Sequence, residues 1–81
     1  MNNSFYNDFA ARFAASTLPS LVRSFNSQVE KRGFNSVLAA HDQALIDELV
    51  RRGIDVSAVF DGTTLSFAHH VELDNNRLVI R

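Results

Sequence analysis

The sequence predicts an α+β fold in which three N-terminal helices pack on one face of a C-terminal three-stranded antiparallel β-meander. Three observations carry that expectation. Apolar residues recur at helical spacing through about residue 52. Strict two-residue alternation takes over between Leu65 and Leu73. Two short turn signals, Asp61-Gly62 and Asn75-Asn76, flank that alternating run. A chain of 81 residues has room for one core, so 1–81 is expected to form a single domain.

The first helix is expected over about 4–15. Phe5, Phe9 and Phe13 recur every fourth residue, with Tyr6, Ala10 and Ala14 beside them. Asn3 or Ser4 can cap its start, and Asp8 lies near the positive end. Thr17 and Pro19 mark the break, because proline fits only the first turn of a following helix. That second helix, about 18–32, reads Leu18, Leu21, Val22, Phe25 and Val29 on one face. Lys31 and Arg32 suit its last turn, Gly33 the left-handed position after it, and Phe34 a closing contact with Val29.

The third helix, about 36–52, repeats this ending: Arg51 and Arg52, then Gly53, then Ile54 set to meet Leu49. His41 and Asp42 interrupt its apolar stripe. Its start is open between a cap at Asn35 or Ser36 and a cap at Asp42.

Strands are expected at about 54–60, 63–73 and 77–81. A two-residue loop at Asn75-Asn76 suits a type I′ turn and pairs Leu73 with Leu78 and Val71 with Ile80. A two-residue loop at Asp61-Gly62 pairs Ala58 with Leu65 and Val56 with Phe67. Both hairpins turn the same face of 63–73 inward. Val56, Val59 and Phe60 also fit a helical turn capped by Asp55 and ended by Gly62; the strand is preferred because its register closes.

This alternation makes His69 the one polar residue on the inward face, a buried imidazole in need of a partner. The outward face carries Ser66, Ala68, His70, Glu72, Val79 and Arg81. That face is the first candidate interaction surface, together with the edges at Val56–Phe60 and Leu78–Arg81, which could pair with another chain. Phe5, Phe9 and Phe13 are candidate interface aromatics wherever the sheet leaves them uncovered.

No catalytic signature emerges. The three glycines are each explained by a cap or a turn, so no phosphate loop exists. With no Cys there is neither disulfide nor thiolate metal site, which fits a reducing, cytoplasmic setting. His69 and His70 point to opposite faces of a strand and cannot chelate one ion in the simple geometry. His70 and Glu72 share a face, and a third metal ligand would have to come from elsewhere, so the plain reading of His70 is an exposed strand residue. His41-Asp42 pairs a base with an orienting acid, yet helix neighbours diverge by about 100°. The net charge of −1 gives no steering toward nucleic acid. No apolar run approaches the roughly 20 residues of a membrane span. No cofactor, metal or catalytic residue is therefore assigned.

Three helices followed by a hairpin resemble a winged-helix DNA-binding domain. That resemblance makes Lys31-Arg32-Gly33-Phe34-Asn35-Ser36 the turn before a recognition helix and implies nucleic-acid binding. The would-be recognition helix carries Asp42, Asp47 and Glu48, however, with Arg51 and Arg52 only at its far end. The leading expectation is a non-enzymatic interaction module: a subunit, regulator or inhibitor that covers a partner protein's surface, as bacterial or phage accessory factors do. Homodimerisation would supplement so small a core. Nucleic-acid binding is the alternative, and a small enzyme or metal-binding domain the second alternative.

Overall fold

The computed structural model describes residues 4–30 and 36–81. Their order is α1 (Ser4–Ala14), α2 (Leu18–Val29), α3 (Ser36–Arg51), β1 (Val71–Asp74) and β2 (Arg77–Ile80). Local chemistry explains most boundaries. Thr17 caps α2, its hydroxyl accepting from the Ser20 N–H at 3.3 Å, and Pro19 occupies the first turn. α3 is one continuous helix from Ser36, so Asp42 sits inside it rather than capping a shorter one. Its end is a Schellman motif: the Ile54 N–H donates to the Leu49 carbonyl at 3.0 Å and the Gly53 N–H to the Val50 carbonyl at 2.9 Å. Gly53 holds φ at +81°, where a side chain would strain the backbone. The matching ending expected at Lys31–Phe34 lies outside the described residues, as do the caps proposed at Asn3 and Asn35.

One apolar cluster joins helices and hairpin. Leu21 and Phe25 of α2, Leu45, Ile46 and Leu49 of α3, and Val71 and Leu78 of the hairpin are fully buried. Phe13 belongs to this cluster, Phe9 packs against it, and Phe5 is 54% exposed. The gradient follows from spacing. Four residues turn a helix by about 400°, so three phenylalanines at that interval drift about 80° around α1. The last one faces the core and the first leaves it.

The hairpin has the expected register: Asp74 opposite Arg77, Leu73 opposite Leu78, Glu72 opposite Val79 and Val71 opposite Ile80. Asn75 and Asn76 take φ of 50° and 62°, the two left-handed positions of a type I′ turn. Val71 and Leu78 are buried on the expected face, while Leu73 and Ile80 lie at its margins.

The rest of the meander differs. Among the described residues the sheet has two strands, not three. Residues 54–60 do not form an antiparallel strand. The Val59 and Phe60 N–H groups both donate to the Val56 carbonyl, at 3.0 and 2.9 Å, closing a helical turn. Asp55 caps it by accepting from the Ser57 N–H at 2.8 Å. Asp55 itself pairs in parallel with Arg77, along the far edge of β2. Residues 63–70 consequently have no neighbouring strand and touch the preceding turn at a single bridge, Phe60 to Leu65. The loop between them holds four residues, because the Asp61 carboxylate accepts from the Thr63 and Thr64 N–H groups at 2.9 and 2.7 Å. Phe67 still reaches the core, its ring 4.6 Å from that of Phe25. A bend at 68–69 then interrupts the alternation, and His69 is exposed rather than buried, before Val71 resumes the inward parity.

Candidate interaction surface

The two edges of the hairpin are treated differently. In a hairpin with a two-residue loop, Asp74 and Arg77 exchange hydrogen bonds, and so do alternate pairs further along. The Arg81 N–H donating to the His70 carbonyl at 2.9 Å fits this phase. Val71 and Leu73 on β1, and Leu78 and Ile80 on β2, therefore direct their backbone groups outward. On β1 the Asn26 carboxamide of α2 takes both groups of Val71. Its Nδ2 donates to the Val71 carbonyl at 2.9 Å, and its Oδ1 accepts from the Val71 N–H at 2.8 Å. A helix side chain thus closes that edge at Val71, while the outward groups of Leu73 have no hydrogen-bond partner among the described residues.

On β2 closure stops halfway. The Asp55 N–H donates to the Asn76 carbonyl at 2.8 Å, and the Asp55 carbonyl accepts from the Leu78 N–H at 2.9 Å. The chain then turns away into the 56–60 turn. The next pair of groups on that edge, the Leu78 carbonyl and the Ile80 N–H, has no hydrogen-bond partner among the described residues. Beside them lies a groove of about 320 Å³ lined by Asp55, Ser57, Ala58, Arg77, Leu78, Val79 and Ile80. Ile80 is 51% exposed at its mouth. Asp55 and Arg77 line the groove without forming an ion pair; the hydrogen bonds from Ser57, and after them the charge of Arg77, hold the Asp55 carboxyl below the usual carboxylate range. Arg81, at the open end, makes no ion pair among the described residues.

Three other polar clusters serve the packing of helices. Asp42 Oδ1 lies 2.6 Å from the Gln28 side-chain amide and 3.0 Å from His41 Nδ1. The two neighbours on α3 do meet, contrary to the divergence expected, because Gln28 of α2 draws both side chains inward. Phe9 and Phe13 hold the His41 ring edge to face, at centroid distances of 5.1 and 5.2 Å. This pairs a base with an orienting acid, and no hydroxyl among the described residues hydrogen-bonds to that base. Near the end of α3, Glu48 is buried and accepts from Arg51 and Arg52. Those bonds hold its carboxyl below the ordinary range against the opposing effect of burial. Arg52 also donates to the Phe13, Ala14 and Ser16 carbonyls at 2.9, 3.3 and 2.7 Å, capping the end of α1. At the other end of α1, the Tyr6 hydroxyl donates to Asp47.

The outward residues expected on one sheet face are dispersed. Ser66 and Ala68 are exposed on the irregular segment before β1. Glu72, Val79 and Arg81 share a face of the hairpin. His70 beside them is half-buried, with its Nε2 2.9 Å from Glu30, the residue that follows α2. Phe9 and Phe13 are spent on α3, which leaves Phe5 as the outward aromatic of that stripe. The open step at Leu78 and Ile80 falls inside the edge that the sequence singled out. The Asn26 closure was not foreseen, since nothing local marks a helix asparagine as the partner of a strand far along the chain.

No helix among the described residues is long and apolar enough to cross a membrane. Comparison with known proteins yields no matching family model, no matching curated protein and no matching solved structure.

Proposed function

We propose that this protein is a non-enzymatic interaction module, a subunit, regulator or inhibitor, which binds a partner protein by strand addition at the outer edge of β2. One observation carries the reading: Asn26 holds the β1 edge at Val71, whereas the β2 edge beyond Asp55 leaves the Ile80 N–H and the Leu78 carbonyl without a hydrogen-bond partner among the described residues, beside a half-exposed isoleucine and an open groove. Backbone groups at such an edge supply affinity to an added strand, and the flanking side chains supply selectivity.

The test is a capture experiment from host lysate with wild type, Ile80→Pro and Glu72→Ala as baits. Proline at Ile80 removes an N–H that the fold does not use, so the hairpin is expected to survive. Proteins retained by wild type and by Glu72→Ala but lost on Ile80→Pro support the reading. Retention unchanged by Ile80→Pro, or nothing retained above background, overturns it.

A further inference from the structure

We propose that the strand accepted by the β2 edge comes from an acidic segment of the partner, with an apolar residue against Ile80 and an adjacent Asp or Glu opposite Arg81. The inference rests on the strand-addition reading above and narrows it to a chemistry. Its template is internal. Asp55 already occupies one step of this edge, and there an acidic residue sits directly opposite an arginine, Arg77. The pairing sets opposite charges on facing positions of the edge, and the charge of Arg77, after the Ser57 hydrogen bonds, favours the ionised Asp55 carboxylate. Arg81 lies four residues along the same strand and on the same face as Arg77, since side chains repeat every second residue. Between them stands Val79, and the open groups of Leu78 and Ile80 flank it as those of Asn76 and Leu78 flank Arg77.

A segment taking the vacant step therefore meets Val79 first and Arg81 two residues further on. The residue between points to the opposite face, toward Ile80. The arrangement asks for an apolar residue next to an acidic one, whichever direction the segment runs. A second copy of this chain fits poorly. Its own β2 edge would set Arg77 and Arg81 against Arg81, and like charges directly opposed are unfavourable. Its acidic strand β1 is held at Val71 by Asn26, so it could add only through the single Leu73 step between Glu72 and Asp74, a dimer that a dependence on protein concentration would reveal.

The test uses two blocked octapeptides, Thr-Val-Thr-Ile-Glu-Val-Thr-Thr and the same sequence with Lys for Glu, titrated to millimolar concentration into ¹⁵N-labelled protein. The acidic peptide is expected to shift the amide signals of Ile80 and Arg81 and to bind about fivefold tighter than the lysine peptide, as exchange of an opposed attractive pair for a repulsive one implies. Arg81→Glu should invert the preference. Shifts at Ile80 with equal affinity for both peptides overturn the acidic preference while leaving strand addition standing. No shift at Ile80 with either peptide overturns the proposal, as does a change at Ile80 that follows protein concentration alone, the mark of a second copy. Loss of strand addition itself is read separately, from the Ile80→Pro bait.

Discussion

Asn26 and Val71 form a two-point hydrogen bond across 45 residues of chain, a side-chain amide standing where a neighbouring strand would be. The pairing also determines how the amide is turned, because the Val71 N–H can meet only an oxygen and the Val71 carbonyl only an N–H. It docks α2 on the hairpin at the level of buried Val71 and removes that step of the β1 edge from use.

Asn26→Ala leaves a part-buried N–H and carbonyl without partners. The expected cost is about 2 kcal/mol, set by desolvation of the orphaned groups more than by the bonds themselves. Asn26→Asp keeps the acceptor and loses the donor, so it should fall between. Urea melts of the three proteins check the order. Equal stability of Asn26→Ala and wild type would make the contact incidental.

How far the fold could be read in advance turns on this same kind of contact. The break at Thr17 and Pro19, the end of α3 and the Asn75-Asn76 hairpin were legible because their signals are local: a cap, a glycine, an alternation, a two-residue loop; α2, expected to about 32, ends at Val29. The segment 54–60 was not legible, because Val56, Val59 and Phe60 fit both a strand and a helical turn, and the closing register favoured the strand. The Asp55 carboxylate decides by capping the turn at Ser57. Once that turn forms, the alternating run before β1 loses its partner, and His69 leaves the core with it. The Gln28, His41 and Asp42 cluster was invisible for the same reason, since its third member comes from another helix.

The turn itself offers a second test. Asn76 at φ +62° sits where glycine is favoured, and Asn-Gly is the preferred pair for this turn. Asn76→Gly is expected to leave the hairpin intact and to raise stability by about 0.5 kcal/mol. Asn76→Val, β-branched and strained there, should lower it by about 1–2 kcal/mol. Thermal melts of both variants check the sign, and the same sign for both would contradict a left-handed requirement at this residue.

Glu48 predicts an acid dependence. Its folded-state pKa is depressed, so its contribution is present above the unfolded carboxylate range and is lost as pH falls through the folded value. Asp55 and Asp61 are depressed by hydrogen bonds from Ser57 and from the Thr64 and Thr63 backbone, and they act in the same direction. Stability should therefore fall as pH drops below about 4.5. The slope should be shallower in Glu48→Gln, whose neutral side chain cannot titrate. At pH 7, Glu48→Gln should cost about 2 kcal/mol, less than a wholly buried pair because Arg51 is largely solvated. Denaturant midpoints measured from pH 7 to pH 3 check both. Parallel curves for the two proteins would remove Glu48 from the account.

Tyr6 gives the most direct reading of α1 docked on α3. It is the only tyrosine in the chain, so absorbance near 295 nm under alkaline titration reports one side chain. The hydroxyl donates to Asp47, which also accepts from Gln43 at 2.9 Å. Ionising the phenol forfeits that hydrogen bond and sets two negative charges together, so the bond, then desolvation, then the Asp47 charge all raise its pKa above the ordinary tyrosine value. A raised pKa means that the contact stabilises the fold below the unfolded value and is lost as pH rises through the folded one. Wild type should titrate above the value found in urea. Asp47→Ala should return the folded midpoint toward that reference, because it removes acceptor and charge together. A midpoint equal in folded and unfolded protein, or unmoved by Asp47→Ala, would mean that Tyr6 does not hold Asp47 in solution.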